Sequence, residues 1–426
     1  MSISRTEIFP VATPTAVDLF SGAGGMSWGL ASAGFRIVFA SDIDKPSSDT
    51  YTENHPGTPF ECADVHDLSG EKILRATGLE IGELDLLAGG PPCQGFSIIG
   101  SRDEADPRNE LFRQFMRIAK GLRPKALLIE NVPGLMTLGQ GRALREISAA
   151  YDDLGYSCAV AELLAAQYGV PQMRWRLIFV GFRKDLGVPS QLGLPKPTLG
   201  RRGIGELIPN CTISPDDIRD FLTTYDAISD LPPVGAGEVN DRYLGQPVTK
   251  YQYEMRLNAP ARLANHYAPK LSAQNIARIS HLQQGQDWRD LPRELLPESM
   301  KRAKLKDHTR RYRRMSWGGV PRSVITRFRD PKSGEYSHPD QNRTISIREA
   351  ARIQSFPDRF IFKGPYSSQY DQVGNAVPPL LAAAIGREII ACLSGTATHR
   401  LENAFGRRRS LHQPQLALAS PLLAPG

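Results

Sequence analysis

In the first 181 residues, short apolar runs at 16–20, 37–40, 84–88, 126–129 and 177–180 alternate with stretches of helical periodicity. Continuous apolar runs are what strands covered on both faces require, and strand–helix alternation is the pattern of parallel βαβ units. The expected architecture is therefore α/β, with a doubly wound, mostly parallel sheet. The rhythm stops after residue 187. A Pro/Gly-rich stretch at 187–200 leads into 201–342, which mixes turns, charge and short segments and reads as a second, smaller, irregular domain. Helical signals return at intervals. Ser214-Pro215-Asp216-Asp217 has the form of a helix start, Ser346-Ile-Arg-Glu349 is a capping box ahead of a helix stopped by Pro357, and 377–393 fits an apolar helix. The divisions that follow are 13–182 and 343–395 for the α/β part, 183–342 for the irregular domain, and 396–426 for a low-complexity tail read as disordered.

At 426 residues and 41% hydrophobic composition the chain can bury a large core, which excludes disorder as the whole answer. No uninterrupted apolar stretch approaches the roughly 20 residues that span a bilayer, and the start of the chain lacks a basic segment followed by an apolar one. The expected compartment is the cytoplasm, with no membrane partner. Five cysteines, none in a CxxC pair, indicate neither a disulfide framework nor a metal site. The net charge of +7 matters for where it sits: residues 301–330 hold eleven Lys/Arg against two acids, with Tyr312, Trp317 and Phe328 interleaved. Such clustering suits a polyanion, since bound phosphates release counterions, although a solvated basic face has the same composition.

Two loops carry candidate chemistry. Asp18-Leu-Phe-Ser-Gly-Ala-Gly-Gly25 follows a strand and opens a helix, so Gly22, Gly24 and Gly25 let backbone approach a ligand. Asp42, twenty residues beyond Gly22, ends the next strand, where an acid can accept from ribose hydroxyls, and Asp64 ends a third. A purely structural turn remains open on the glycines alone. The second loop, Gly90-Pro-Pro-Cys93-Gln-Gly-Phe-Ser97, delivers Cys93 at the sheet's carboxyl edge on a turn stiffened by two prolines, as a nucleophile requires. An inert buried thiol is the alternative. The 37 residues from Cys93 to Glu130 fit one strand–helix–strand unit, so both side chains can emerge on one edge.

With Glu130-Asn-Val, Gln167-Tyr-Gly-Val-Pro-Gln172-Met-Arg174-Trp-Arg176, Arg343-Thr-Ile-Ser-Ile-Arg-Glu-Ala-Ala-Arg352 and Gln372-Val-Gly374-Asn375-Ala-Val-Pro-Pro379, six motifs stand in the order of the cytosine carbon-5 DNA methyltransferases, and the chain resembles that family over about 15–182 and 343–392. The resemblance implies a sheet of the S-adenosyl-L-methionine (AdoMet)-dependent type, with a target-recognition domain at 183–342. It implies Cys93 as nucleophile toward cytosine, Glu130 on ring nitrogen 3 and the exocyclic amine, Asn131 shaping the pocket, Arg176 on the cytosine carbonyl or a flanking phosphate, and Arg174 supporting the loop. For the cofactor it implies Phe20 near the adenine, Gly22 and Gly24 near the methionine, Asp42 and Ile43 at the ribose and adenine, Asp64 with Val65 at the adenine amine, and Leu111, Asn375 and Val377 on the pocket walls. Gln94 and Ser97 are assigned to the DNA, as are Arg310, Arg311, Arg313, Arg314, Arg322 and Arg327, each of which can equally be a solvated cation. Arg314-Met-Ser-Trp-Gly-Gly-Val-Pro-Arg-Ser-Val-Ile-Thr-Arg-Phe resembles a segment of restriction-modification members, implying a partner endonuclease. Rival readings are a tRNA methyltransferase and a catalytically silent DNA-binding protein.

Overall fold

The computed structural model describes residues 13–92, 107–136, 141–189, 193–200, 220–304 and 310–397. Strands β1 (Thr15–Leu19), β2 (Arg36–Asp42), β3 (Phe60–Cys62), β4 (Leu86–Gly89), β5 (Ala126–Asn131), β6 (Tyr156–Leu164) and β7 (Trp175–Arg183) form one sheet in the order β3-β2-β1-β4-β5-β7-β6. β1 to β5 pair in parallel, while β7 runs antiparallel between β5 and β6. The five expected strands are present. β3 and β6 go beyond the sequence expectation: β3 has only three residues, and edge strand β6 leaves Ser157, Cys158, Val160 and Glu162 only partly buried, with the polar Ser157 and Glu162 bounding a short apolar stretch.

Helices α1 (Gly25–Ala33), α2 (Lys45–Asn54), α3 (Gly70–Thr77), α4 (Pro107–Leu122) and α5 (Arg142–Asp153) connect the strands. Successive strand residues face opposite layers. Ala16, Leu86, Ala88, Leu128, Ile178 and Val180 join one apolar cluster, and Val17, Leu19, Leu87, Leu127, Ile129 and Phe179 join the other with Phe115 and Ile118 of α4. This two-sided burial explains the uninterrupted apolar runs.

The irregular region contributes α6 (Thr224–Ile228), α7 (Lys250–Arg256) and α8 (Ala273–His281), followed by α9 (Ile347–Ile353), α10 (Tyr366–Asn375) and α11 (Pro379–Leu393). The expected helix start at Ser214 lies outside the described residues, as does the chain beyond residue 397. At α9 the capping box forms as expected: the Glu349 N–H donates to Ser346 Oγ at 3.0 Å and the Ser346 N–H to the Glu349 carboxylate at 2.7 Å. The apolar stretch Tyr366–Leu393 is long enough in total to cross a bilayer, which the sequence reading did not anticipate. It is divided into α10 and α11 at Ala376–Pro378, and α11 packs Leu381, Ile385 and Ile389 into the core beside Met26 and Leu30 of α1. The approach of α11 to α1 is close: a Cβ on Gly29 would stand 2.3 Å from the Pro379 carbonyl oxygen. A third apolar cluster joins Ile228, Met255, Val324 and Phe328 to Ile347, Phe356, Phe360 and Val373, so residues on both sides of position 343 share one core.

Candidate active site

Strand order reverses at β1, whose neighbours β2 and β4 leave in opposite directions, and a crevice opens at the carboxyl ends there. One cavity of about 960 Å³ occupies it, lined by residues following β1 (Phe20, Gly22), β2 (Ile43, Asp44) and β4 (Gly90 to Pro92), by Asn131 at the end of β5 with Val132 beyond it, and closed by one side of α10 and Val377.

At one end the glycine loop is bent tightly. Phe20 has φ 56°, a left-handed conformation that an L side chain adopts only when its surroundings enforce it, and such residues concentrate at functional sites. Gly22, also left-handed, donates its N–H to Asp42 Oδ2 at 2.8 Å, and Asp44 donates its N–H to Oδ1 at 2.9 Å. Burial raises the Asp42 carboxyl above its ordinary value in spite of these bonds. Beyond Asp42, Ile43 lies on the rim 67% exposed. Asp64 accepts from the His66 N–H at 3.0 Å and pairs with its ring, and these bonds lower its pKa. Val65, Leu111, Asn375 and Val377 line the same cavity. Gly24 departs from expectation: it is not on the cavity wall but packs under the loop, where a Cβ would fall 2.5 Å from His55 Nε2.

The sequence reading gave no role to Asp18. Its side chain is fully buried on the cavity wall, Oδ2 accepts from Ser27 Oγ at 2.6 Å, and Tyr51 donates to that same hydroxyl at 2.8 Å. Oδ1 has no partner. Burial pushes the carboxyl up to about 7, with the Ser27 bond opposing and Asp42 reinforcing the shift. The only sequence signal was its place at the head of the glycine loop.

At the other end, Arg176 Nε lies 2.5 Å from Glu130 Oε1, both nearly buried. The pair follows from register, since Glu130 and Arg176 lie at the ends of the adjacent strands β5 and β7. Asn131 donates its side-chain amide to the Pro91 carbonyl at 3.1 Å, tying β5 to the proline turn. Arg174 is buried and donates to the carbonyls of Val324, Gly374 and Ala376 at 2.7, 3.0 and 3.1 Å, so it joins three segments as a strut. Cys93, Gln94 and Ser97 lie outside the described residues. Among the described residues no group of three or more His, Cys, Asp or Glu could hold a metal ion.

The family model for C-5 cytosine-specific DNA methylases matches residues 15–391. The chain belongs to that family. It is 33% identical over 433 residues to the type II methyltransferase M.AgeI of Thalassovita gelatinovora, covering 89% of this chain and 99% of that protein. It is 34% identical over 379 residues to M1.HphI of Haemophilus parahaemolyticus, covering 88% and 86%. Among solved structures, a DNA modification methyltransferase encoded within an Escherichia coli prophage superposes with TM-score 0.67 at 26% identity, over 89% of this chain and 99% of that one. The protein is thus a C-5 cytosine DNA methyltransferase of the type II restriction-modification kind.

In this methyltransferase the basic segment is divided in use. Arg310, Arg322 and Arg327 are exposed, and Arg311 and Arg313 are half-buried. Arg313 lies 3.5 Å from Asp287 and 3.4 Å from Glu335, and Arg322 4.0 Å from Glu335. Arg314 is the correction among the six: its side chain is buried and donates to the carbonyls of Pro339 and Ile279 and to Asn342 Oδ1 at 3.1, 2.7 and 2.6 Å. Those bonds hold the fold together and turn the guanidinium away from any phosphate.

Proposed function

We propose that the enzyme transfers a methyl group from AdoMet to carbon 5 of a cytosine flipped out of a specific duplex DNA sequence, through a transient bond between Cys93 and the base. The observation that carries this reading is the continuity of the cavity from the glycine loop to the Arg176–Glu130 pair, which gives donor and base adjoining compartments. The residues present fit the donor: Oδ1 of Asp18 is a buried acceptor without a partner on the cavity wall, suited to an α-ammonium, and an ionised Asp18 is favoured once that cation is bound. Asp42 would hold the ribose, Ile43 and Phe20 would flank the adenine, and Leu111, Asn375 and Val377 would fill the remaining wall. When bound, AdoMet supplies an electrophilic methyl on a sulfonium.

Carbon 5 of cytosine is a weak nucleophile. The Cys93 thiolate adds to carbon 6, which places an electron pair at carbon 5, while Glu130 as an acid donates to ring nitrogen 3 and accepts from the exocyclic amine. Arg176 would donate to the base carbonyl while orienting Glu130; Asn131 holds the proline turn that carries Cys93. After carbon 5 receives the methyl, loss of its proton to a base expels the Cys93 thiolate and restores the ring. Protein contacts offset the cost, about a few kcal/mol, of unstacking the base. Exposed Arg310, Arg322 and Arg327, with Arg311, would contact phosphates. The product is host DNA, in the cytoplasm, protected from a partner endonuclease.

Labelled AdoMet incubated with plasmid DNA and, separately, with bulk tRNA tests the reading. Label should enter the DNA, a duplex containing 5-fluorocytosine should become covalently attached to the wild type, and Cys93→Ala should bind DNA without forming that adduct. Label in tRNA alone, or transfer by Cys93→Ala at the wild-type rate, overturns it.

A further inference from the structure

The segment from Pro321 to Phe328 is fixed to the catalytic edge of the sheet more firmly than a surface loop needs. Met173 donates its N–H to the Pro321 carbonyl at 2.8 Å. Gln172 Oε1 accepts from the Val324 N–H at 2.7 Å, Arg174 donates to the Val324 carbonyl at 2.7 Å, and Tyr336 donates to the Ser323 carbonyl at 2.8 Å. The next peptide lies directly on the cavity-lining Gly374, where a Cβ would stand 2.4 Å from the Thr326 nitrogen. Three of these anchors, Gln172, Met173 and Arg174, are two to four residues from Arg176, at the compartment that receives the base.

Burial along this segment is divided. Val324 and Phe328 are buried in the shared core, whereas Arg322 and Arg327 are exposed and Ile325, between them, keeps 42% of its surface in solvent. A β-branched side chain on fixed backbone has few positions open to it. Two flanking cations suit phosphates, and an aliphatic group held between them in a groove of DNA is suited to the one apolar feature that a base edge offers, the thymine C5 methyl.

Resting on the proposed methylation of duplex DNA, we infer that Ile325 is a specificity-determining residue that reads the methyl group of a thymine beside the target cytosine. Methylation of a random-sequence duplex library, read by bisulfite sequencing, should yield a recognition sequence with an A·T pair within about two positions of the methylated cytosine. Replacing that thymine by deoxyuridine should lower the wild-type kcat/KM about fourfold, the weight of one methyl contact. Ile325→Ala should treat the two duplexes alike, Ile325→Val should retain part of the discrimination, and both should remain folded with a Tm lowered by no more than a few degrees, the side chain being only partly covered. A recognition sequence without such a thymine, a wild type indifferent to deoxyuridine, or an Ile325→Ala that still discriminates as the wild type does overturns the inference while leaving the methylation chemistry intact. A wild type that methylates no duplex at all overturns the functional reading itself, and this inference with it.

Discussion

Two arginine-rich stretches in this methyltransferase put the same side chain to opposite uses. Around α9, Arg343, Arg348 and Arg352 are buried and paired. Arg343 makes a two-pronged bond to Glu349, with both distances 2.7 Å, and Arg352 grips Asp358 at 2.5 and 2.7 Å and Asp230 at 3.2 and 3.3 Å. Burial alone would raise the Glu349 and Asp358 carboxyls; Arg343 and Arg352 instead hold both below their ordinary values. In the 310–327 stretch, Arg310, Arg322 and Arg327 face solvent. Charge density along the chain does not tell these cases apart. What separates them is how completely the fold satisfies the planar fork: Arg343 and Arg352 meet buried carboxylates in two-pronged bonds, whereas Arg310 and Arg327 face solvent and Arg322 only approaches Glu335, at 4.0 Å, which leaves these forks for phosphate.

Removing a cation from the buried set should have the largest effect. Arg352→Met removes both guanidinium bonds to buried Asp358 and leaves Asp230 to Arg256 alone, and should lower stability by about 3–5 kcal/mol, read from urea denaturation. Arg314 belongs by sequence to the exposed set and by structure to the buried one. Arg314→Ala should cost about 2–3 kcal/mol by the same measurement, and a loss below about 0.5 kcal/mol would return it to the solvent-facing group.

Asp18 sharpens the contrast, being a buried carboxyl with no arginine. With a folded value of about 7 against an ordinary value of 3.8, its contribution to stability is present in acid and is lost as pH rises from about 4 to 7. Asp18→Asn should therefore stabilise the unliganded enzyme by up to about 4 kcal/mol at pH 8 and very little near pH 4, while weakening AdoMet binding by calorimetry. The smallest stability change belongs to the exposed cations. Arg322→Ala combined with Arg327→Ala should leave stability within about 0.5 kcal/mol, yet flatten the salt dependence of DNA binding by about 0.9 in log–log slope for each phosphate no longer neutralised.

Much of the catalytic region was legible in sequence because its determinants are local. Apolar runs gave five strands, the capping box gave α9, and the spacing from Cys93 to Glu130 anticipated neighbouring strands, which β4 and β5 are. The unread features depend on partners distant in the chain. β6 pairs with β7 while staying partly buried at Ser157, Cys158, Val160 and Glu162, Gly24 is packed by a histidine from the end of α2, and the buried state of Arg314 is set by Ile279, Pro339 and Asn342. Asp18 was visible as a letter, but its missing partner is a property of the folded wall around it.

The packing of α11 on α1 has a consequence for biosynthesis. Leu30 emerges from the ribosome some 350 residues before Leu381 and Ile385, which cover it. At translation speeds of about 5–20 residues per second, that greasy face waits roughly 20–70 s for its cover, an interval in which a nascent chain depends on chaperones to stay out of aggregates.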